Sequence, residues 1–280
     1  MSPLYPPSRP MPISQVLDSS FRLFKASVVR CLAFGPLWII VGQAPNIYHL
    51  AIGRPRQAFG GSDPIWWALY LVGALGSIAI SAALVTHQRD IVSGVASKAT
   101  LKMAEAVRRL PAIVGLTIGV MLIIATPLGL VMLGVYQGEF ALQGLGMVVI
   151  FGALAVYITY VGLALSLAWS ALLLDGMSPV ASMRYSLNLV RGNWWRTMVI
   201  FTVAFVVVFV IYLVMATVVF PIAGAMDIAI VTAVTEVLIV ALSALVAPYF
   251  SATMLALYGD LRARKEGTDL EQRISAAART

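Results

Sequence analysis

The chain has 280 residues, of which 60% are hydrophobic and 11% charged, and a formal net charge of +7; its mean hydropathy is +0.92. A soluble domain carries about 25% charged residues, so this composition excludes a water-soluble globule and makes lipid the solvent for much of the surface. The single cysteine, Cys31, excludes an internal disulfide and a cysteine metal cluster; at the head of an apolar run it reads as a small buried residue.

Residues 1–12 are proline-rich and lack an apolar signal core. They read as a disordered or extended arm. Six apolar stretches follow, interrupted by few charges: residues 31–53, 64–88, 110–138, 140–174, 197–226 and 228–258. Each is long enough for a bilayer core, which needs about 20 helical residues. Six crossings put both termini on one side. Of the 19 Lys and Arg residues, 17 fall in the N-terminal region, the loops after the second and fourth spans, and the tail; Arg54 and Arg56 remain for the other side. Positive charge marks the cytoplasmic face, so both termini are expected in the cytoplasm. The basic balance is then loop charge rather than a nucleic-acid footprint, and no nucleic-acid partner is expected. Pro127, Pro221 and Pro248 fall inside spans, where neighbouring helices can re-satisfy the backbone.

A repeat organises the spans. Leu17, Phe21, Phe24 and Val28 recur at helical spacing just before the first span, with Asp18, Arg22 and Lys25 on the adjoining face. Adding 166 gives Met183, Leu187 and Val190, with Arg184, Asn188 and Arg191 beside them; adding 86 gives a weaker copy at Met103, Val107 and Leu110, with Arg108. Ser14 and Ser178 are expected N-caps, with Pro179 at the first helical position. The expectation is an all-α polytopic fold of six transmembrane helices in three pseudo-repeated hairpins. An amphipathic interfacial helix precedes each hairpin. The units span about 13–90, 98–176 and 178–264 within a membrane domain of residues 13–264, and residues 265–280 form a charged cytoplasmic tail. Gly73, Ser77 and Ser81, Gly115 and Gly119, and Gly162, Ser166 and Ser170 are small residues at packing spacing, which lets helices approach in lipid.

Chemistry-bearing residues are few. Glu236 lies about eight residues into the last span, roughly 12 Å down at 1.5 Å per residue, where a bare carboxylate is costly. With Gln43 and Asn46 of the first span it forms the candidate intramembrane polar site. His49 and His87 fall at opposite ends of their spans and cannot share a metal in this topology. HExxH, GxSxG and GxxxxGK[ST] are absent, so neither metal nor cofactor is expected and an enzyme is disfavoured. The basic residues of the interfacial segments and tail, Arg22, Lys25, Arg108, Arg109, Arg184, Arg191, Arg262, Arg264 and Lys265, form a candidate docking surface. Anionic lipid headgroups, a membrane protein or a second copy are its expected partners.

Two strings carry a family resemblance. One is the segment 172–195, Leu-Leu-Leu-Asp-Gly-Met-Ser-Pro-Val-Ala-Ser-Met-Arg-Tyr-Ser-Leu-Asn-Leu-Val-Arg-Gly-Asn-Trp-Trp. The other is the tail from Tyr258 to Glu271, Tyr-Gly-Asp-Leu-Arg-Ala-Arg-Lys-Glu-Gly-Thr-Asp-Leu-Glu. With the six-span layout they resemble the bacterial membrane domain found in membrane-anchored glycerophosphoryl diester phosphodiesterases; Asp175 stands where glutamate is commoner. In those proteins a catalytic barrel follows the membrane domain, and no barrel is seen after the tail motif in this sequence. The resemblance therefore implies a multi-pass protein of the bacterial inner membrane and carries no enzymatic activity over to it. The expected function is that of a non-enzymatic scaffold or accessory to a membrane or lipid-related system; the alternative is a small transporter or lipid-handling permease with a polar path near Glu236.

Overall fold

A computed structural model of the chain describes residues 4–7, 9–53, 63–136, 145–223 and 227–277. Among the described residues the secondary structure is helical, with no strand: α1 (Ile13–Cys31), α2 (Phe34–Gly42), α3 (Ala44–Ala51), α4 (Pro64–Val92), α5 (Ala99–Tyr136), α6 (Leu145–Leu165), α7 (Ala168–Asp175), α8 (Pro179–Val190), α9 (Trp194–Ala223) and α10 (Ile228–Ala277). Five stretches are long and apolar enough to cross a bilayer, or six if α1 and α2, bent by 66° at their junction, form one span. This is the make-up of a multi-pass membrane protein.

The helices differ from the expected spans in four places. The first expected span, 31–53, is broken into the end of α1, then α2, then α3. Pro45 sits in the first turn of α3, where a missing N–H does no harm, and the chain re-starts there after Gln43. The middle amphipathic segment is not a separate helix, because α5 runs unbroken from Ala99 through Pro111 and Pro127. Ser14 lies inside α1, whose N-cap position is Pro12. In the tail, α10 continues to Ala277 rather than stopping near residue 258. Ser178 does cap α8, accepting from the Ala181 N–H, with Pro179 leading the helix.

The chain divides into two compact units, one comprising Met1–Leu110 with Val199–Thr280 and the other Pro111–Met198. In the first, α1 runs antiparallel to the C-terminal half of α10. Met11 meets Asp260, Phe21 and Phe24 meet Tyr249, and Gly35 of α2 meets the Ser243 backbone. A Cβ on Gly35 would collide with the Ser243 carbonyl, so only glycine permits this approach. The α2 helix packs along α4: a Cβ at Gly73 would lie 2.7 Å from the Val41 carbonyl, and the Ser77 hydroxyl donates to the Trp38 carbonyl at 3.3 Å. The Gly73 and Ser77 positions of the small-residue stripe thus face α2.

The face that α1 buries is not its most apolar one. Val16, Ser20, Leu23, Ser27 and Cys31 are buried, whereas Phe21 is 40% exposed. In α8 of the second unit the buried residues are Ser182, Ser186, Leu189 and Val190, and Leu187 is 46% exposed. Lipid is as apolar as leucine, so greasiness does not drive helices together in a membrane. Small residues that let backbones approach do so. In the second unit α8 lies against α6 and α7, with the Ser186 hydroxyl donating to the Ala164 carbonyl at 2.7 Å. Gly119 of α5 faces the Met183 side chain. The turn before α8 needs Gly176, whose φ of +67 lies in the left-handed region that glycine adopts without strain.

Candidate functional site

Buried polar side chains of the first unit gather where α4 ends. Thr86, His87, Gln88 and Asp90 are all buried, which requires neighbours around most of the helix. Gln88 is fully buried; its Nε2 donates to Ser27 Oγ at 2.8 Å and to the Pro248 carbonyl at 3.0 Å, and the Ser27 hydroxyl donates in turn to the Leu23 carbonyl at 2.7 Å. One amide therefore joins α1, α4 and α10. His87 Nδ1 lies 2.8 Å from Ser97 Oγ, tying α4 to the segment before α5. Asp90 receives Lys102 Nζ at 2.7 Å and Arg89 Nη2 at 2.8 Å. Lys102 also reaches Glu105 at 3.1 Å, and Glu105 reaches Arg109 at 3.0 Å. The outer pair is half-exposed and contributes little. The inner Asp90 pair, with the carboxylate largely out of water, carries more.

A second cluster binds the N-terminal arm. Leu4 N–H donates to the Val92 carbonyl at 2.9 Å, and Tyr5 is buried. Gly259 leaves room for the arm: a Cβ there would lie 2.6 Å from Pro7 and 2.9 Å from the Tyr5 ring. The Asp260 carboxylate, fully buried, accepts from the Met11 N–H at 2.7 Å and from Arg264 Nε at 3.1 Å. Arg264 Nη2 in turn donates to the Met11 carbonyl at 2.6 Å. The Gly259, Asp260 and Arg264 positions of the tail string thus have a physical task, which is to clamp the start of the chain onto α10. Neither cluster was visible in the sequence as a site. Polar residues at span ends are ordinary there, and the long-range partners lie 61 to 253 residues apart.

The sequence-derived polar site is partly assembled. Asn46 Nδ2 donates to Gln43 Oε1 at 2.7 Å. Glu236 is half-buried on α10 and shares a helix face with Ser243, seven residues on, the residue that meets Gly35 of α2. Thr235 turns its hydroxyl to the Val231 carbonyl of its own helix. An aliphatic groove between α9 and α10, lined by Val210, Ile211, Val214, Met215, Leu238 and Leu242, lies elsewhere. Glu236 points roughly 200° round the helix from Leu238.

The basic docking candidates separate into two kinds. Arg22, Lys25, Arg108, Arg184 and Arg191 are exposed. Arg109 pairs with Glu105, and Arg264 holds the arm; Arg262 and Lys265 are half-exposed on α10. Among the described residues no group of three or more His, Cys, Asp or Glu side chains is placed to hold a metal ion. Comparison with protein-family models, curated proteins and solved structures finds no match to this chain.

Proposed function

We propose that the chain is a non-enzymatic integral protein of the bacterial inner membrane that scaffolds or assists another membrane or lipid-related system. In this reading six spans form three hairpins and both termini are cytoplasmic. The chain is a relative of the membrane domain of the glycerophosphoryl diester phosphodiesterases. The observation that carries the proposal is the state of the basic residues on the amphipathic helices. Arg22 and Lys25 of α1, Arg184 of α8 and Arg191 after it are exposed, and none of them is in an ion pair among the described residues. Cations held out to water beside an apolar bundle suit anionic headgroups or an acidic partner surface. The repeat is supported by the buried stripes: Val16, Ser20 and Leu23 of α1 and Ser182, Ser186 and Leu189 of α8 stand 166 positions apart. Crosslinking and pull-down from the native membrane test the proposal. The Arg184→Glu, Arg191→Glu double variant is expected to lose its co-purifying partner while keeping its thermal midpoint; unchanged association refutes the docking role.

A second reading, a small permease, draws on the Gln43–Asn46 pair and on Glu236 sharing the α10 face that meets α2. It requires water to reach Glu236. Glu236→Cys labelled by a charged thiol reagent in intact vesicles, against the buried Cys31 as the silent background, decides it. No labelling removes the permease reading.

A further inference from the structure

The opposite end of the first unit holds a buried histidine that none of the readings above uses. His49 of α3 is 1% exposed. Its ring lies between Tyr48, with centroids 5.8 Å apart, and Trp66 of α4, at 6.2 Å. Among the described residues neither ring nitrogen has a hydrogen-bond partner, nor do buried Trp66 Nε1 and Asn46 Oδ1 beside it. Asn46 and His49, three residues apart, share a face of α3, and α3 packs on α4. At the head of α4, Asp63 uses Oδ1 to cap the helix, accepting from the Ile65 and Trp66 N–H groups. Its other oxygen, Oδ2, lies 3.6 Å from His49 Nε2. That separation is a few tenths of an ångström too long for a hydrogen bond and short enough for an ion pair.

A neutral imidazole is poorly served here, because its one N–H and its one lone pair are both buried and unmet. An imidazolium leaves Nδ1–H unmet and costs burial of a charge, but gains the opposite charge of Asp63 at Nε2. Nε2 then carries a proton toward a carboxylate, a charge-assisted bond of the strong kind. Histidine is the side chain that gains this charge between about pH 5 and 8. The groups facing His49 can be named by element. From α2 there is no titratable side chain; from α3 there is Tyr48, and from α4 there are Asp63 and Tyr70. Arg54 and Arg56 fall outside the described residues.

We propose that His49 and Asp63 form a proton-operated latch. Uptake of a solvent proton by His49 closes Nε2 onto the Asp63 carboxylate and draws α3 against the capped start of α4, with Trp66 as the packed neighbour that moves. Under the proposed topology this end faces away from the cytoplasm, so the latch reads the external pH. The chemistry of the latch does not depend on that topology.

The chain has two histidines, which makes the test direct. The full-length protein, labelled with 15N at histidine and tryptophan, is titrated from pH 8 to pH 5 in detergent with His87→Gln as background. Trp66→Phe assigns the indole signal. The expected result is protonation of both His49 ring nitrogens, accompanied by a shift of the Trp66 indole signal, and loss of that Trp66 response in Asp63→Asn. A ring still neutral at pH 5, or a Trp66 response unchanged by Asp63→Asn, overturns the latch. If His87→Gln does not fold, the His49 signal is obtained by difference between the wild type and His49→Gln. The same titration in sealed vesicles of known orientation separates the latch from the topology. A response to internal rather than external pH keeps the latch and reverses the assigned side.

Discussion

The two ends of the first unit match their buried charged groups to different extents. Where α4 ends, its two buried carboxylates are matched: Asp90 by Lys102 and Arg89, Asp260 by the Met11 N–H and Arg264. The Lys102–Asp90 pair ties α4 to α5, and the Met11–Asp260 bond joins residues 249 positions apart. Where α4 begins, Asn46 Oδ1, both His49 nitrogens and Trp66 Nε1 are buried without hydrogen-bond partners among the described residues. An unmet buried group costs about 1–3 kcal/mol; under the latch proposed above, the first end holds and the second responds. The same substitution chemistry should therefore have different consequences at the two ends.

Asp260→Ala is the largest expected effect. It leaves the Met11 N–H and Arg264 without their acceptor and releases the arm from α10. Breaking a buried pair from one side costs about 3–5 kcal/mol; because the Arg264 side chain is 31% exposed, the expected loss is nearer 3 kcal/mol. Thermal unfolding in detergent should show a clear drop in midpoint, and limited proteolysis should cut the arm first. Gly259→Val separates charge from fit, since it keeps Asp260 and removes the space that Tyr5 and Pro7 occupy. Overpacking of this kind costs about 1–3 kcal/mol. An arm that stays protected in Gly259→Val would show that the hydrogen bonds alone hold it.

Next in size is Gln88→Ala. Two hydrogen bonds are lost, at about 1 kcal/mol each. The gain from removing the unpartnered Gln88 Oε1 offsets part of this. A destabilisation of about 1–2 kcal/mol is expected, and Ser27→Ala should reproduce roughly half of it. A double-mutant cycle between the two, read as thermal midpoints, should show coupling; additive effects would mean that the amide does not join α1 to α4 energetically.

How much of this was legible follows from the solvent. Helix positions were readable because about 20 uncharged apolar residues have few other uses, and the Ser178–Pro179 start of α8 because capping is local chemistry. The packed face of α1 was not legible, because Leu17, Phe21, Phe24 and Val28 form its most apolar stripe. In water that stripe would turn inward, but in lipid the serine-bearing stripe through Ser20 and Ser27 does. The break at Gln43 was hidden for the same reason, since hydropathy does not register a bend. Glu236 drew attention as an acid inside a span, yet the two buried carboxylates whose partners are described above, Asp90 and Asp260, sit at span ends. No local pattern links Met11 to a residue 249 positions away.

The smallest expected effect tests the responsive end. His49→Leu at pH 8 removes two unmet ring nitrogens and leaves an aliphatic group of similar reach against Trp66. Replacing an unpartnered polar group by an apolar one is nearly neutral or stabilising, so the thermal midpoint should stay the same or rise by about 1 kcal/mol equivalent. Asp260→Ala run beside it should fall steeply, and that contrast is the signature of one end that holds and one that responds. Under the proposed latch the sign should change on acidification, because the leucine variant has no imidazolium to pair with Asp63. A His49→Leu protein as impaired at pH 8 as Asp260→Ala would mean that His49 is a structural core residue. The two ends would then be held together in the same way.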